Sequence, residues 1–120
     1  MQHTTSQFTN KDGQTIHTEA WLPDSPPTAV VIMVHGYGEH IGRYQHVAER
    51  LVNAGYAVYG LDHRGHGKSS GMRVHMETLH DAADDLRQYF EQIKQQTDAV
   101  IVEGAGGWLV PLNQTQTMAD

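Results

Sequence analysis

Cysteine is absent from the 120-residue sequence, which excludes disulfides, thiolate catalysis and Cys-ligated zinc. Basic residues are scarce. Eight Lys and Arg stand against fourteen Asp and Glu, a net charge of −6, and that balance argues against nucleic acid or an anionic membrane surface as a main partner. Long hydrophobic runs are missing too. The longest near-continuous one, AVVIMV at 29–34, is far too short to span a bilayer. The opening stretch, MQHTTSQFTNKDGQT, has neither the basic nor the apolar segment of a secretion signal, so the sequence reads as cytoplasmic.

What is present suits an ordinary globular chain. A hydrophobic content of 38% with 8% aromatics can bury a core. The length allows one domain at most, since domains commonly run to about 100–150 residues. The segments SQFTN and TIHTEAWLP flank Lys11-Asp12-Gly13 and predict a hairpin. PDSPP at 23–27 is a loop, because Pro breaks any ladder there. AVVIMVHG reads as a strand buried on both faces, the kind found in parallel sheets.

Further along, Tyr44, Val47, Ala48, Leu51 and Val52 keep helical spacing, with Gly55 at the C-terminal cap. YAVYGLD at 56–62 predicts the next strand, followed by a Gly- and His-rich loop. Thr78 and Asp81 form a capping-box pattern that opens a second helix. Its inward residues are Leu79, Ala82, Ala83, Leu86, Phe90 and Ile93, while Asp81, Asp84 and Asp85 favour its positive N-terminal end. DAVIVE at 98–103 is another buried-type strand. The alternation implies an α/β fold with a mostly parallel sheet, flanking helices and right-handed crossovers.

Chemistry concentrates at the end of the 29–34 strand. There His35-Gly36-Tyr37-Gly38 places flexible backbone at the carboxyl edge of the sheet, where open α/β sheets bind ligands. In acyl transfer, a backbone N–H from such a loop stabilises the developing oxyanion, and one donor is worth roughly 3–4 kcal/mol. Two nearby motifs are decoys. GKSSG at 67–71 satisfies G-x-S-x-G with Ser69, but it lacks the strand entering and the helix leaving that a nucleophile elbow requires. Gly67-Lys68-Ser69 fails as a phosphate loop, since Asp62 stands where the first Gly is needed. The nine histidines lack H-E-x-x-H spacing. His63, His66 and His75 share one loop, where such residues are expected to be solvated or locally hydrogen-bonded rather than metal ligands.

HGYGEHIGRY followed by YGLDHRGHGKSSG resembles the monoacylglycerol lipase and lysophospholipase branch of the α/β-hydrolases, over about residues 8–96. The resemblance implies hydrolysis of lipid-like esters by a Ser-His-Asp triad without a cofactor. Tyr37 would give one oxyanion N–H, with His35, Gly36 and Gly38 shaping the loop. It also implies a partial fold, lacking the C-terminal half and cap. An overlay on the elbow puts Ala105 at the nucleophile, and losing a triad serine costs on the order of a millionfold in turnover.

The tail, DAVIVEGAGGWLVPLNQTQTMAD, resembles dethiobiotin synthetase over roughly 97–120. By that resemblance Glu103 would ligate Mg²⁺, and Glu103, Gly104, Ala105 and Gly106 would border the phosphates of ATP. The Walker-type loop and catalytic Lys of that family are not in the sequence. The expected organisation is therefore a hydrolase portion at 1–96 joined near Thr97 to a synthetase-like strand and turn at 97–120, with a non-catalytic chimera or scaffold as the further alternative. The apolar strand at 98–103 would be an exposed sheet edge and invite self-association.

Overall fold

The computed structural model describes residues 1–36, 39–71, 79–95 and 100–104, with 79–80 and 100–104 described by their backbone. The expected hairpin is present. Strand β1 (Gln2–Thr9) pairs antiparallel with β2 (Thr15–Leu22), placing Phe8 opposite Ile16. Asn10 closes the turn: its Oδ1 accepts the N–H groups of Asp12 and Gln14 at 3.0 and 2.9 Å. This is the local bonding that suits Asn to turns.

The apolar run forms β3 (Ala29–Val34), and a 3₁₀ turn at Ile41–Tyr44 leads into α1 (Gln45–Asn53). Gly55 follows with φ of +99°, the left-handed conformation expected of a helix stop. Then come β4 (Tyr56–Leu61), α2 (Leu79–Lys94) and β5 (Val100–Gly104). The capping pair at Thr78 and the loop residue His75 lie outside the described residues.

The strands form one sheet in the order β1-β2-β4-β3-β5. β3 runs parallel to both neighbours, with Val31 beside Val58 of β4 and Val30 beside Val100 of β5. The hairpin joins antiparallel, with Thr18 opposite Leu61, so the sheet is mixed: parallel around β3 and antiparallel at the hairpin. Side chains of β3 alternate between two cores. Val30, Ile32 and Val34 pack with Leu86, Tyr89, Phe90 and Ile93 of α2. Val31 and Met33 pack with Trp21, Ala48 and Val52 beneath α1. Covered on both faces, β3 has no position left for a polar side chain, which is why it reads as a continuous apolar run.

One expectation for α2 changes. Asp85, read with Asp81 and Asp84 as an acid favouring the positive helix end, is 1% exposed and belongs to a buried joint. Arg64 donates to both its carboxylate oxygens at 2.9 Å and to Asp12 at 2.8 Å, and Asn10 donates to it at 3.1 Å. The hairpin turn, the loop after β4 and α2 are thereby tied at one point. The carboxylates hold the Arg64 guanidinium above its ordinary pKa against the opposing cost of burial.

Candidate functional site

β3 ends at Val34 and delivers His35 and Gly36 to the carboxyl edge of the sheet. His35 is fully buried, and its Nδ1–H donates to the Gly36 carbonyl at 2.7 Å. Its Nε2 is thereby left as an acceptor, and it takes the backbone N–H of His63 at 3.0 Å. His63 returns the contact: its Nε2–H donates to the His35 carbonyl at 2.9 Å. Two imidazoles thus stitch the ends of neighbouring parallel strands, each bonding the other's backbone. Burial lowers the pKa of both, and for His63 burial and the nearby His35 push it down to about 3. Both rings are neutral near pH 7, and their bonding makes them scaffold rather than general bases.

His66 completes the cluster. Its ring is 2% exposed, with Nδ1 bonded to the Arg64 carbonyl at 3.0 Å, and it lies 5.3 Å from the His35 ring and 5.9 Å from that of His63. The local bond matches expectation for His66. Solvation does not describe either loop histidine, because the loop folds inward under the strand ends. No group of three or more His, Asp or Glu among the described residues is arranged to hold a metal ion.

The segment after the loop is held by two carboxylates. Asp62, 2% exposed at the end of β4, accepts the N–H of Ile41 at 2.7 Å and that of Lys68 at 2.9 Å. A Cβ on Gly67 would come within 2.4 Å of Asp62 Oδ2, at a backbone φ of +49°, so only Gly fits this approach. Glu39 accepts the N–H of Gly36 at 2.9 Å and the hydroxyl of Tyr44 at 2.5 Å, both on Oε1. The Tyr44 bond, followed by the Gly36 bond, lowers the Glu39 pKa; burial and that same Glu39 bond raise Tyr44 to about 12. The sequence reading gave neither Glu39 nor Asp62 a role, since their partners are backbone N–H groups that no side-chain pattern reveals.

Ser69 is buried and hydrogen-bonded on both sides in this arrangement. It is 1% exposed, its Oγ donates to the Asp62 carbonyl at 2.6 Å and it accepts the N–H of His17 at 2.8 Å. With Ser70 bonding to Thr15, the GKSSG loop sews itself along β2. Tyr37, Gly38, Ala105 and Gly106 lie outside the described residues, and Glu103 and Gly104 are described as the backbone end of β5. A cleft of about 210 Å³ lies apart from the loop, between β1 and α2, lined by Thr4, Ser6, Thr18, Tyr59, Tyr89 and Gln92 among others. Among the described residues, no helix is long and apolar enough to cross a membrane.

Known proteins similar to this chain agree on the family. The monoacylglycerol lipase of Mycolicibacterium smegmatis is 50% identical over 80 residues, covering 67% of this chain and 29% of that protein. Human monoglyceride lipase is 35% identical over 86 residues, covering 72% of this chain and 28% of its own length. The chain therefore spans less than a third of these relatives. A lipase solved in its open form superposes with a TM-score of 0.75 at 31% identity, over 86% of this chain and 36% of that one. The synthetase resemblance of the tail gains no support from these comparisons. The serine aminopeptidase S33 family matches residues 25–105, a span that runs from the loop ahead of β3 through the end of β5, and the chain belongs to that family of α/β-hydrolases.

Proposed function

We propose that this chain carries the oxyanion-loop portion of a carboxylic-ester hydrolase site for lipid-like acyl esters, and that it does not turn such esters over by itself. One observation carries the reading. His35 and Gly36 leave β3 at the level where Gly104 ends β5, because Val34 and Gly104 are register partners. The start of the loop that the resemblance ties to the oxyanion and the end of β5 thus lie on neighbouring parallel strands, an adjacency that supports acyl-transfer chemistry there. The substrate class is supported by relatives named monoacylglycerol lipase and monoglyceride lipase. Incompleteness is supported by the sequence: its G-x-S-x-G match centres on the buried Ser69, and Ala105 falls at the elbow's serine position.

Fluorophosphonate labelling with peptide mapping, beside turnover of a monoacylglycerol, tests this on folded protein. Neither an adduct nor turnover is expected. An adduct on any serine together with ester turnover overturns the incompleteness, and saturable Mg²⁺–ATP binding lost in Glu103→Ala would favour the synthetase reading instead. Self-association through β5 is part of the proposal; light scattering showing a monodisperse monomer would count against it.

A further inference from the structure

A row of side chains across three strands leaves a hollow on the α2 face of the sheet. Thr4 of β1 stands opposite Ala20 of β2, and Ala20 stands opposite Tyr59 of β4. Directly opposed side chains share one face, so only the Ala20 methyl group fills the space between Thr4 and Tyr59. Tyr89 and Gln92 of α2 close the far side, and the resulting cleft holds about 210 Å³. Tyr89 is a firm wall: it is 5% exposed, its ring stacks on Phe8 at 5.8 Å, and its hydroxyl has the Thr18 side chain and the Gly60 backbone beside it. The Tyr59 hydroxyl differs. Among the described residues no hydrogen bond reaches it, and burial alone raises its pKa. A phenol withdrawn from water ordinarily finds a partner.

From this geometry we propose that the cleft between β1 and α2 is a binding site for a small neutral polyhydroxylated molecule, of the size and chemistry of one pyranose sugar. The lining selects that chemistry. Thr4, Ser6, Thr18 and Tyr59 contribute hydroxyls and Gln92 an amide, groups that both donate and accept as sugar hydroxyls do. Phe8 and Ala20 offer apolar surface to the C–H face of a ring. No charged side chain lines the cleft, although the chain carries a net charge of −6. A phosphorylated ligand therefore finds no cation there, and an amine finds no carboxylate. The volume falls below the ~300–1,000 Å³ of pockets that take drug-sized ligands, which suits one ring rather than an acyl glyceride. The cleft shares no lining residue with the His35 loop, so the inference stands independently of the ester-hydrolase reading.

The test is a glucose titration of the isotope-labelled full chain, followed by amide NMR, in wild type, Tyr59→Phe and Ala20→Leu. Saturable shifts are expected at Thr4, Thr18, Ala20 and Tyr59, while Val31 and Val52, in the core beneath α1, stay in place. Tyr59→Phe keeps the ring and removes the hydroxyl, and it should weaken binding roughly fivefold, the loss of one neutral hydrogen bond. Ala20→Leu fills the hollow and should abolish the shifts; where it disturbs the fold, Tyr59→Phe carries the test alone. Glucose 6-phosphate should bind no more tightly than glucose. Absence of saturation, or shifts of equal size throughout the chain, overturns the inference. So does a wild-type affinity in Tyr59→Phe, or tighter binding of the phosphorylated sugar.

Discussion

His63 and Arg64 are neighbours in the chain, yet they anchor opposite kinds of joint. Arg64 turns towards the hairpin and α2, where a bidentate bond to Asp85 and a further bond to Asp12 hold three elements with full charges. His63 turns towards the loop after β3, where two neutral rings exchange bonds with each other's backbone. The charged joint ties the scaffold, and the neutral one ties the candidate site. The difference matters because a guanidinium keeps its charge at any physiological pH, whereas an imidazole does not. One loop thus carries a joint built on a permanent charge beside another whose rings must stay neutral, so that falling pH works against the second.

Breaking the charged joint should have the largest effect. Asp85→Ala strands the buried Arg64 guanidinium, and removing one partner of a buried pair costs about 3–5 kcal/mol. Urea denaturation should show a correspondingly lower midpoint. The neutral joint should cost less: His63→Ala leaves the buried His35 carbonyl without its ring partner, a loss of about 1–3 kcal/mol by the same measurement. If both variants lose the same stability, the contrast between charged and neutral joints fails.

Acid sharpens the contrast. His35 and His63 have lowered pKa values in the folded chain, so below pH 6.5 the unfolded state binds protons that the folded state refuses. Their contribution is complete above about pH 6.5 and is lost as pH falls towards about 3. Stability measured across that window should decline more gently in His63→Phe than in wild type. A wild-type curve flat from pH 7 to 5 would contradict this.

Smaller effects lie away from these two joints. Ser69→Ala removes the bonds to the Asp62 carbonyl and the His17 N–H and should cost about 1 kcal/mol, seen as a modest fall in melting temperature. Lys11 pairs with Asp84 at the surface, next to the buried joint. Because exposed pairs are screened and contribute little, Lys11→Ala should leave the urea midpoint within experimental error.

Most elements were legible because each is a local pattern. The alternation of the hairpin, the unbroken run of β3 and the helical spacing from Tyr44 to Val52 all follow from which faces are covered. The His35 loop was legible from its glycines and its place after a buried strand. Asp85 was not, because an acid in the first turns of a helix already has a sufficient local reason to be there. Only folding brings Arg64 and Asn10 to it. The burial of His63 and His66 was hidden likewise: loop histidines carry no periodicity, and the partner of His63 is a strand end far back in the chain.

The pairing of β2 with β4 has a consequence for how the chain is made. The hairpin is complete at Leu22, but its partner edge, with Leu61 opposite Thr18, is synthesised only after β3 and α1. At translation rates of roughly 5–20 residues per second, the hairpin waits for seconds with Ile16 and Trp21 uncovered. During that interval these two side chains lack the partners that bury them in the folded chain. Closing β2 against β4 is the long-range event that ends their exposure, and the step at which early folding of this chain is most open to intervention.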